Sequence, residues 1–591
     1  MPGFILHVGN KNNLLFPPEK RKKLILNHID GNGYKVERRV VNKFMSDRLF
    51  VDADKYLVVV EGVVVNNHDL IANYAAANWQ DCVVKMYEEE GDAFFNAFRG
   101  SFSGILYDKK NEKWLVYTNQ IGDKQVFVHK TQDGYIFASE IGFIVNTLKY
   151  NNESIKLNEL GANMTLSYGF CIENETLIEN IYKLCAGHYF KLENGQLEEI
   201  QYHRFSNRPK HMTQQEAVEG IDKYFRQAIK RAFEKDKEYG YRHIACLSGG
   251  LDSRMTVWVA HEMGYTDQLN ITYSQSGYLD FSIAQQIAID LHHDWLFKPL
   301  DGGDCVKDID NITEITYGSA NFFGLAHGYS MERLINYNDY GMVHTGQLGD
   351  VVLGTYLKKL GYNQPVKLGD GAYSHEIIYR LKDYSLKYTY EDSELFMMYN
   401  RGFCGIGQGL LTFQENSESY SPFTDVDFFE FCYSIPLELR FNHKIYFDWI
   451  LDCYPEAAKY VWEGSQRFIK RIENIKPRTM KVLGYEVPHF TDKRFKNYIK
   501  GFILRRLGLI KKGAIPKTIK LDSKNSMNPI DYWYNTNPHF KSFIEQYWND
   551  NSHLLLNKNL GADMVHLYND CVLYDKLQAL TLLSVLKCIN K

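Results

Sequence analysis

Between residues 248 and 254 the chain reads Ser-Gly-Gly-Leu-Asp-Ser-Arg, and these residue types at this spacing suit the holding of nucleotide phosphates. Gly249 and Gly250 let backbone N–H groups approach an anion closely, and Ser248 and Ser253 add hydroxyl donors. Asp252 stands where phosphate would repel it most. A divalent cation between the two resolves that repulsion, because hard cations take carboxylate and phosphate oxygens together. The competing reading is a plain turn with a Ser-Asp helix cap, which seldom uses two glycines and two serines after a buried strand.

Such a loop needs elements that hold it open. Residues 244–247 are apolar or small and predict a buried strand, and Met255, Val257, Trp258 and Val259 resume at helical density, so the loop joins a strand to a helix start. Downstream, 269–274 predicts a second strand, 281–291 a helix and 295–300 a third strand. Strands and helices alternating in this way predict a parallel sheet with helices on both faces, and ligands bind beyond the carboxyl ends of such strands. Upstream, 215–233 is an amphipathic helix preceded by the polar, proline-containing stretch 204–212, where a domain boundary belongs.

The chain has 591 residues, 45% apolar and 24% charged, with a net charge of −4. That length predicts two or three domains. The charge balance gives no reason to expect nucleic-acid binding, and the basic runs at 20–23 and 505–512 are read as solvated faces. Ten cysteines without a CxxC pair predict free thiols in a reducing compartment. The densest apolar stretch, 56–65, is interrupted by Glu61, so a soluble, cytoplasmic protein without membrane contact is expected.

The loop 248–254 resembles the pyrophosphate-binding loop of the ATP pyrophosphatases, in particular the synthetase domain of the asparagine synthetase family; Arg254 stands where that motif ends in Ser. The resemblance implies that ATP is split between its α and β phosphates and AMP is transferred to a carboxylate. It implies nucleotide contacts from Leu247, Ser248, Gly249, Gly250, Leu251, Asp252 and Ser253. The end of the second strand, near Thr272 and Tyr273, would face the adenosine, although packing accounts for both residues as readily. Residues 342–356 (MVHTGQLGDVVLGTY) resemble the family's second loop, which implies a nucleotide contact from Gly346 and a metal ligand in Asp350, so that Asp252 and Asp350 clamp one Mg²⁺ against the departing pyrophosphate. The family's acids are replaced here by Gln347 and Val351. Residues 421–440 also match, as a buried helical segment with Asp425 as a cap. Farther on the family places a lysine against the phosphates; Arg467, Lys470 and Arg471 are the candidates, Lys470 the best by distance and taken as the catalytic one.

From 56 to 190 short strands alternate with Gly, Asn and Asp, and only 71–98 reads as mainly helical. This half resembles the family's N-terminal glutaminase domain at 61–70, 100–108 and 137–141. Its chemistry is expected to be lost: the family's nucleophilic cysteine is Pro2, its glutamine-holding NGE is Glu61-Gly62-Val63, and an expected aspartate is Asn119. The fold class expected is α/β: a parallel-sheet ATP-pyrophosphatase domain (adenine nucleotide α-hydrolase-like) at 210–480, preceded by an α+β Ntn-hydrolase-like layered-sheet domain at 1–205. A helical extension at 481–591, with helices at 531–549 and 566–588, should pack on the synthetase domain. The resemblance covers 1–471.

The function expected is an ATP-dependent, AMP-forming ligase joining a carboxylate to an amine, with ATP and Mg²⁺ as cofactors. Family members without the N-terminal cysteine include β-lactam synthetases and lasso peptide cyclases, and a lasso-cyclase-like macrolactam synthetase is the reading preferred at this level. A ribosomal precursor peptide with its protease and leader-binding partners would then be the partner set. The alternatives are asparagine-type amidation of aspartate or a sugar acid with free ammonia and, from another class, a degenerate synthetase acting as a scaffold.

Overall fold

The protein is described by a computed structural model covering residues 2–9, 14–357, 364–473, 479–482, 485–488, 524–555 and 558–590. Its first third is a sandwich of two six-stranded antiparallel sheets. One runs Ile181–Lys183, Phe127–Lys130, Gly134–Ala138, Gly3–Gly9, Tyr34–Val41, Leu24–Gly31 in spatial order, and the other runs Gln196–Gln201, His188–Glu193, Lys113–Thr118, Gly100–Asp108, Tyr56–Val64, Leu49–Asp52. Side chains alternate across each strand, so Phe4 and Leu6 meet Leu57, Val59 and Ile105 between the sheets while Ile5 faces the other way. The outer face of the second sheet is covered by the helix Trp79–Glu90 and by Phe94 and Phe95.

The outer face of the first sheet is covered by two helices, Ile141–Tyr150 and Glu159–Tyr168, in a region where the sequence predicted only strands. Every residue from Gly161 to Tyr168 is buried. A helix buried on all sides, here with the polar Asn163, Thr165 and Ser167 among its buried residues, lacks the one-sided apolar stripe by which helices are recognised.

The middle of the chain forms the expected parallel sheet, in the order Asp294–Pro299, Gln268–Ser274, Arg242–Cys246, Tyr340–His344, Ser419–Tyr420. The helix Gln214–Glu238 begins with a capping box between Thr213 and Glu216 and buries Val218, Ile221, Phe225, Ile229 and Phe233 along one side. Asp425 caps the helix Val426–Ser434, as expected, and also pairs with Arg231 at 3.1 Å.

Among the described C-terminal residues the two expected helices are four: Ile530–Thr536, Pro538–Asn551, Lys558–Asp570 and Leu573–Asn590. The first break falls at Asn537, whose side chain accepts from the His539 N–H while Pro538 opens the next helix. These helices share one core with Ile309–Thr316 and Phe322–Glu332, and also with the two helices Ile141–Tyr150 and Glu159–Tyr168 of the N-terminal domain. The extension therefore joins both domains. None of the ten cysteines forms a disulfide. Among the described residues no helix is long and apolar enough to cross a membrane.

A second tie between the domains is ionic. Arg48 lies 2.6 Å from Glu61 and 2.6 Å from Glu418, and Lys124 pairs with the other oxygen of Glu418. All four side chains are at most 4% exposed. Glu61, expected from the sequence to stand at the first position of a glutamine-holding segment, has its carboxylate committed to an internal pair. Burial raises its proton affinity, and Arg48 opposes that shift.

Candidate functional site

The strand Arg242–Cys246 ends at the loop, and the helix Leu251–Glu262 starts with Gly250 at its N-cap in extended conformation and no side chain capping it. The first N–H groups of that helix are thus left for an anion. Ser253 Oγ accepts from the Ser248 N–H at 3.0 Å and lies 2.9 Å from Ser248 Oγ, which accepts from the Gly250 N–H at 3.1 Å. These bonds set the two hydroxyls side by side. Gly249 faces the other way: its N–H donates to Asp280 at 2.8 Å and its carbonyl accepts from Arg254 at 2.9 Å.

Arg254 is the departure from the family motif, and the structure gives it a task. Fully buried, it donates to the carbonyls of Ala457, Tyr460, Val461 and Gly249, which ties the loop to the segment that follows the helix Lys444–Cys453. With no carboxylate beside it, burial lowers its pKa to about 10. Arg254→Met leaves these carbonyls without a donor and is expected to lower unfolding free energy by on the order of 3 kcal/mol, read from the urea midpoint.

The second loop packs directly on the first. A Cβ on Gly346 would sit 2.3 Å from the Ser253 nitrogen, and one on Gly349 would sit 2.6 Å from Asp252 Cγ. Both positions need glycine for this contact. Thr256 Oγ1 donates to the Thr345 carbonyl at 3.1 Å, a further link between the loops. Asp350 comes to Asp252 across the gap: its N–H donates to Asp252 Oδ2 at 3.1 Å, and Tyr446 OH donates to Asp252 Oδ1 at 2.7 Å. Asp350 itself accepts from Thr355 Oγ1 at 2.6 Å, and Thr355 Oγ1 lies 2.6 Å from His443 Nε2. Burial, then the charge of Asp350, pushes the Asp252 carboxyl up to about 8. Two carboxylates held together against their repulsion, with hydroxyls around them, fit a hard cation such as Mg²⁺.

Leu247, Ser248, Gly250, Leu251, Asp252, Ser253, Thr272, Tyr273, Gly346 and Asp350 all line one cavity of about 610 Å³. Thr272 is also a packing residue, since its hydroxyl donates to the Leu247 carbonyl and accepts from Trp295. Two expected residues are not in the lining. Gly249 is turned to Asp280 and Arg254, and Lys470 is an exposed side chain. Arg467 is also exposed, and Arg471 pairs with Asp452. Among the described residues no lysine or arginine lines the cavity. Gln347, which replaces a family acid, gives its amide to the Ile406 carbonyl.

Sequence reasoning missed much of the wall: Phe170, Asn321, Phe323, Tyr373, His443, Tyr446, Trp462, Met527 and Tyr574. They come from segments far apart in the chain, and nothing local marks them. Only Met527 and Tyr574 carry a further message, because they belong to the C-terminal extension.

Two family models match the chain: "Glutamine amidotransferase domain" over residues 45–203 and "Asparagine synthase" over residues 220–399. Similar curated proteins include an "Asparagine synthetase [glutamine-hydrolyzing]" of Sandersonia aurantiaca, 23% identical over 351 residues, which are 55% of this chain and 59% of that one. Another is "Asparagine synthetase [glutamine-hydrolyzing] 2" of Bacillus subtilis (strain 168), 26% identical over 287 residues, 45% of this chain and 38% of that one. A third, from Arabidopsis thaliana, is 24% identical over 348 residues, 56% of this chain and 54% of its own length. The chain thus spans at most about three-fifths of the length of these relatives.

Proposed function

Since the chain belongs to the asparagine synthetase family, we propose that it is an ATP-dependent ligase that adenylates a carboxylate and passes the acyl group to an amine. The observation that carries this reading is the pair Asp252 and Asp350, brought together on two loops beside a phosphate-shaped turn. A substrate carboxylate oxygen attacks the α-phosphorus of ATP, the bond to the bridging oxygen breaks, and pyrophosphate leaves. The amine then attacks the acyl carbon, AMP departs, and the nitrogen gives up a proton. In this chain the helix N-terminus at Gly250 and the Ser248 and Ser253 hydroxyls hold the pyrophosphate, and Asp252 and Asp350 would hold Mg²⁺, which neutralises charge gathering on the leaving group. Holding the acid and the amine in one cavity supplies much of the rate.

The matched relatives are asparagine synthetases, which supports intermolecular amidation of the asparagine-synthetase type over the macrolactam reading preferred from sequence. No relative named above is a peptide cyclase. The nitrogen is proposed to come from free ammonia or a small amine. Glutamine is an unsuitable donor because Val63 removes one family acid, Asn119 removes another, and Glu61 is spent on Arg48. Incubation of the purified chain with glutamine is therefore expected to release no glutamate; steady glutamate formation would overturn the assignment of the N-terminal domain.

The test of the whole reading is product identity. With MgATP, ammonium and a panel of carboxylic acids, AMP and pyrophosphate should accumulate in equal amounts. ADP and phosphate as products would contradict the adenylation step. No nucleotide turnover with any acid would favour a scaffold.

A further inference from the structure

One end of the cavity is closed by Tyr574, which lies beyond both matched stretches of the chain, 45–203 and 220–399. Tyr574, on the last helix Leu573–Asn590, packs against Phe323 with ring centres 4.8 Å apart and against Tyr373 at 5.5 Å. Phe170 and Gly169, at the end of a helix of the N-terminal domain, complete this wall. Gly169 has φ +83°, and a Cβ there would meet Asn321 Nδ2 at 2.3 Å, so the turn is pressed against the amide. Gly324 on the helix Phe322–Glu332 is different: a Cβ there would meet nothing within 4 Å, and its face opens into the cavity.

Inside this aromatic enclosure sits one amide with an unmet need. Asn321 lines the cavity at 7% exposure, with its nitrogen beside the Tyr574 hydroxyl, and its Oδ1 has no hydrogen-bond partner. A buried amide oxygen left unpaired is costly, and proteins keep such groups where a ligand satisfies them. The cavity offers that oxygen to a donor hydrogen. Nearby polar groups are the hydroxyls of Tyr373 and Tyr574 and, farther along the helix Phe322–Glu332, the ring of His327; the Arg401 guanidinium stacks over Tyr373 at 4.2 Å and gives its Nη1 hydrogen bond to the Gly371 carbonyl.

We propose that this end of the cavity, closed by Tyr574 of the C-terminal extension, binds the acyl substrate, and that this substrate is a carboxylic acid with an aromatic body and an N–H donor aimed at Asn321 Oδ1. The proposal rests on the adenylating reading of the site and narrows its substrate class. Free aspartate is a poor fit, because it brings no ring to Phe323, Tyr373 and Tyr574, and its ammonium would enter an aromatic pocket beside the Arg401 guanidinium. An aromatic ring gains contact area with Phe323, Tyr373 and Tyr574.

N-Benzoylglycine carries the ring, the N–H and the carboxylate, and serves as the probe. Isothermal titration into the nucleotide-bound full chain should show it binding at least about tenfold more tightly than aspartate, and pyrophosphate release should follow the same order. Tyr574→Ala should weaken N-benzoylglycine about tenfold relative to ATP, whereas a folding defect would weaken both ligands together. Gly324→Leu replaces a helical glycine without strain and should block the acid while keeping the melting temperature at or above that of the parent. Aspartate binding more tightly than N-benzoylglycine, or Gly324→Leu leaving acid binding unchanged, would overturn the proposal. Binding of the aromatic acid without AMP formation would leave this subsite standing and remove the adenylating reading, so the two fail separately.

Discussion

Asp350→Asn is expected to lower AMP-forming turnover by a factor on the order of 10³ and, in the same protein, to raise the stability of the nucleotide-free chain by about 1 kcal/mol. The loss follows from removing one arm of the cation clamp, which is asked to supply several kcal/mol as negative charge gathers on pyrophosphate. The gain follows from electrostatics. Asp252 is buried and faces Asp350, and both causes push its carboxyl up, from 3.8 to about 8. A carboxyl with a raised folded pKa holds its proton more firmly in the folded than in the unfolded state. Stability from this group is therefore present below the unfolded value and falls as pH rises toward about 8, where the ionised pair repels. Asparagine at 350 removes the second charge and keeps an oxygen to accept from Thr355. Thermal unfolding at pH 5 and pH 8 without nucleotide, set beside pyrophosphate release, reads both halves. A variant that lost stability as well as turnover, or that kept turnover, would show that the pair does not serve as a cation site.

Arg48→Met is expected to destabilise the protein by about 3–5 kcal/mol. The substitution removes the partner that Glu61 and Glu418 share at 2.6 Å, and leaves two carboxylates inside a protein where water cannot reach them. Lys124 then serves Glu418 alone. Because Glu61 lies in the N-terminal sandwich and Glu418 borders the strand Ser419–Tyr420 of the parallel sheet, the loss should also uncouple the two domains, so that urea unfolding of the variant spreads over a wider range of concentration than that of the parent. Replacing Arg48 and Glu61 together by Met and Leu should recover most of the deficit, since the stranded charge is removed along with its partner. Equal midpoints for Arg48→Met and the parent would mean that the cluster holds nothing together.

The site was legible to the extent that its chemistry is carried by residues close in sequence. Ser248, Gly250, Asp252 and Ser253 lie within six positions, and a strand–loop–helix pattern has one arrangement that faces an anion. Asp350 lay 98 positions away and was reachable through its resemblance to a second loop with glycines at 346 and 349; the structure adds why those glycines are there, since both press on Asp252 and Ser253. Arg254 read as a harmless departure, and its role depends on four carbonyls, three of them more than 200 residues away. Lys470 was chosen by spacing from Pro455, but spacing along an irregular segment does not set direction, and the side chain faces solvent. The helices Ile141–Tyr150 and Glu159–Tyr168 were missed because burial on all sides erases periodicity.

By itself the sequence determined the order of an antiparallel-strand half and a parallel-sheet half and the strand–loop–helix around 248–254, because each is written in local residue types, while Asp350 came from the likeness of a second, distant loop. Only the tertiary structure decided what fills the far end of the cavity. Phe170, Asn321, Tyr373 and Tyr574 meet there because one shared apolar core draws the last helix onto both domains, and burial of apolar surface has no sequence neighbourhood.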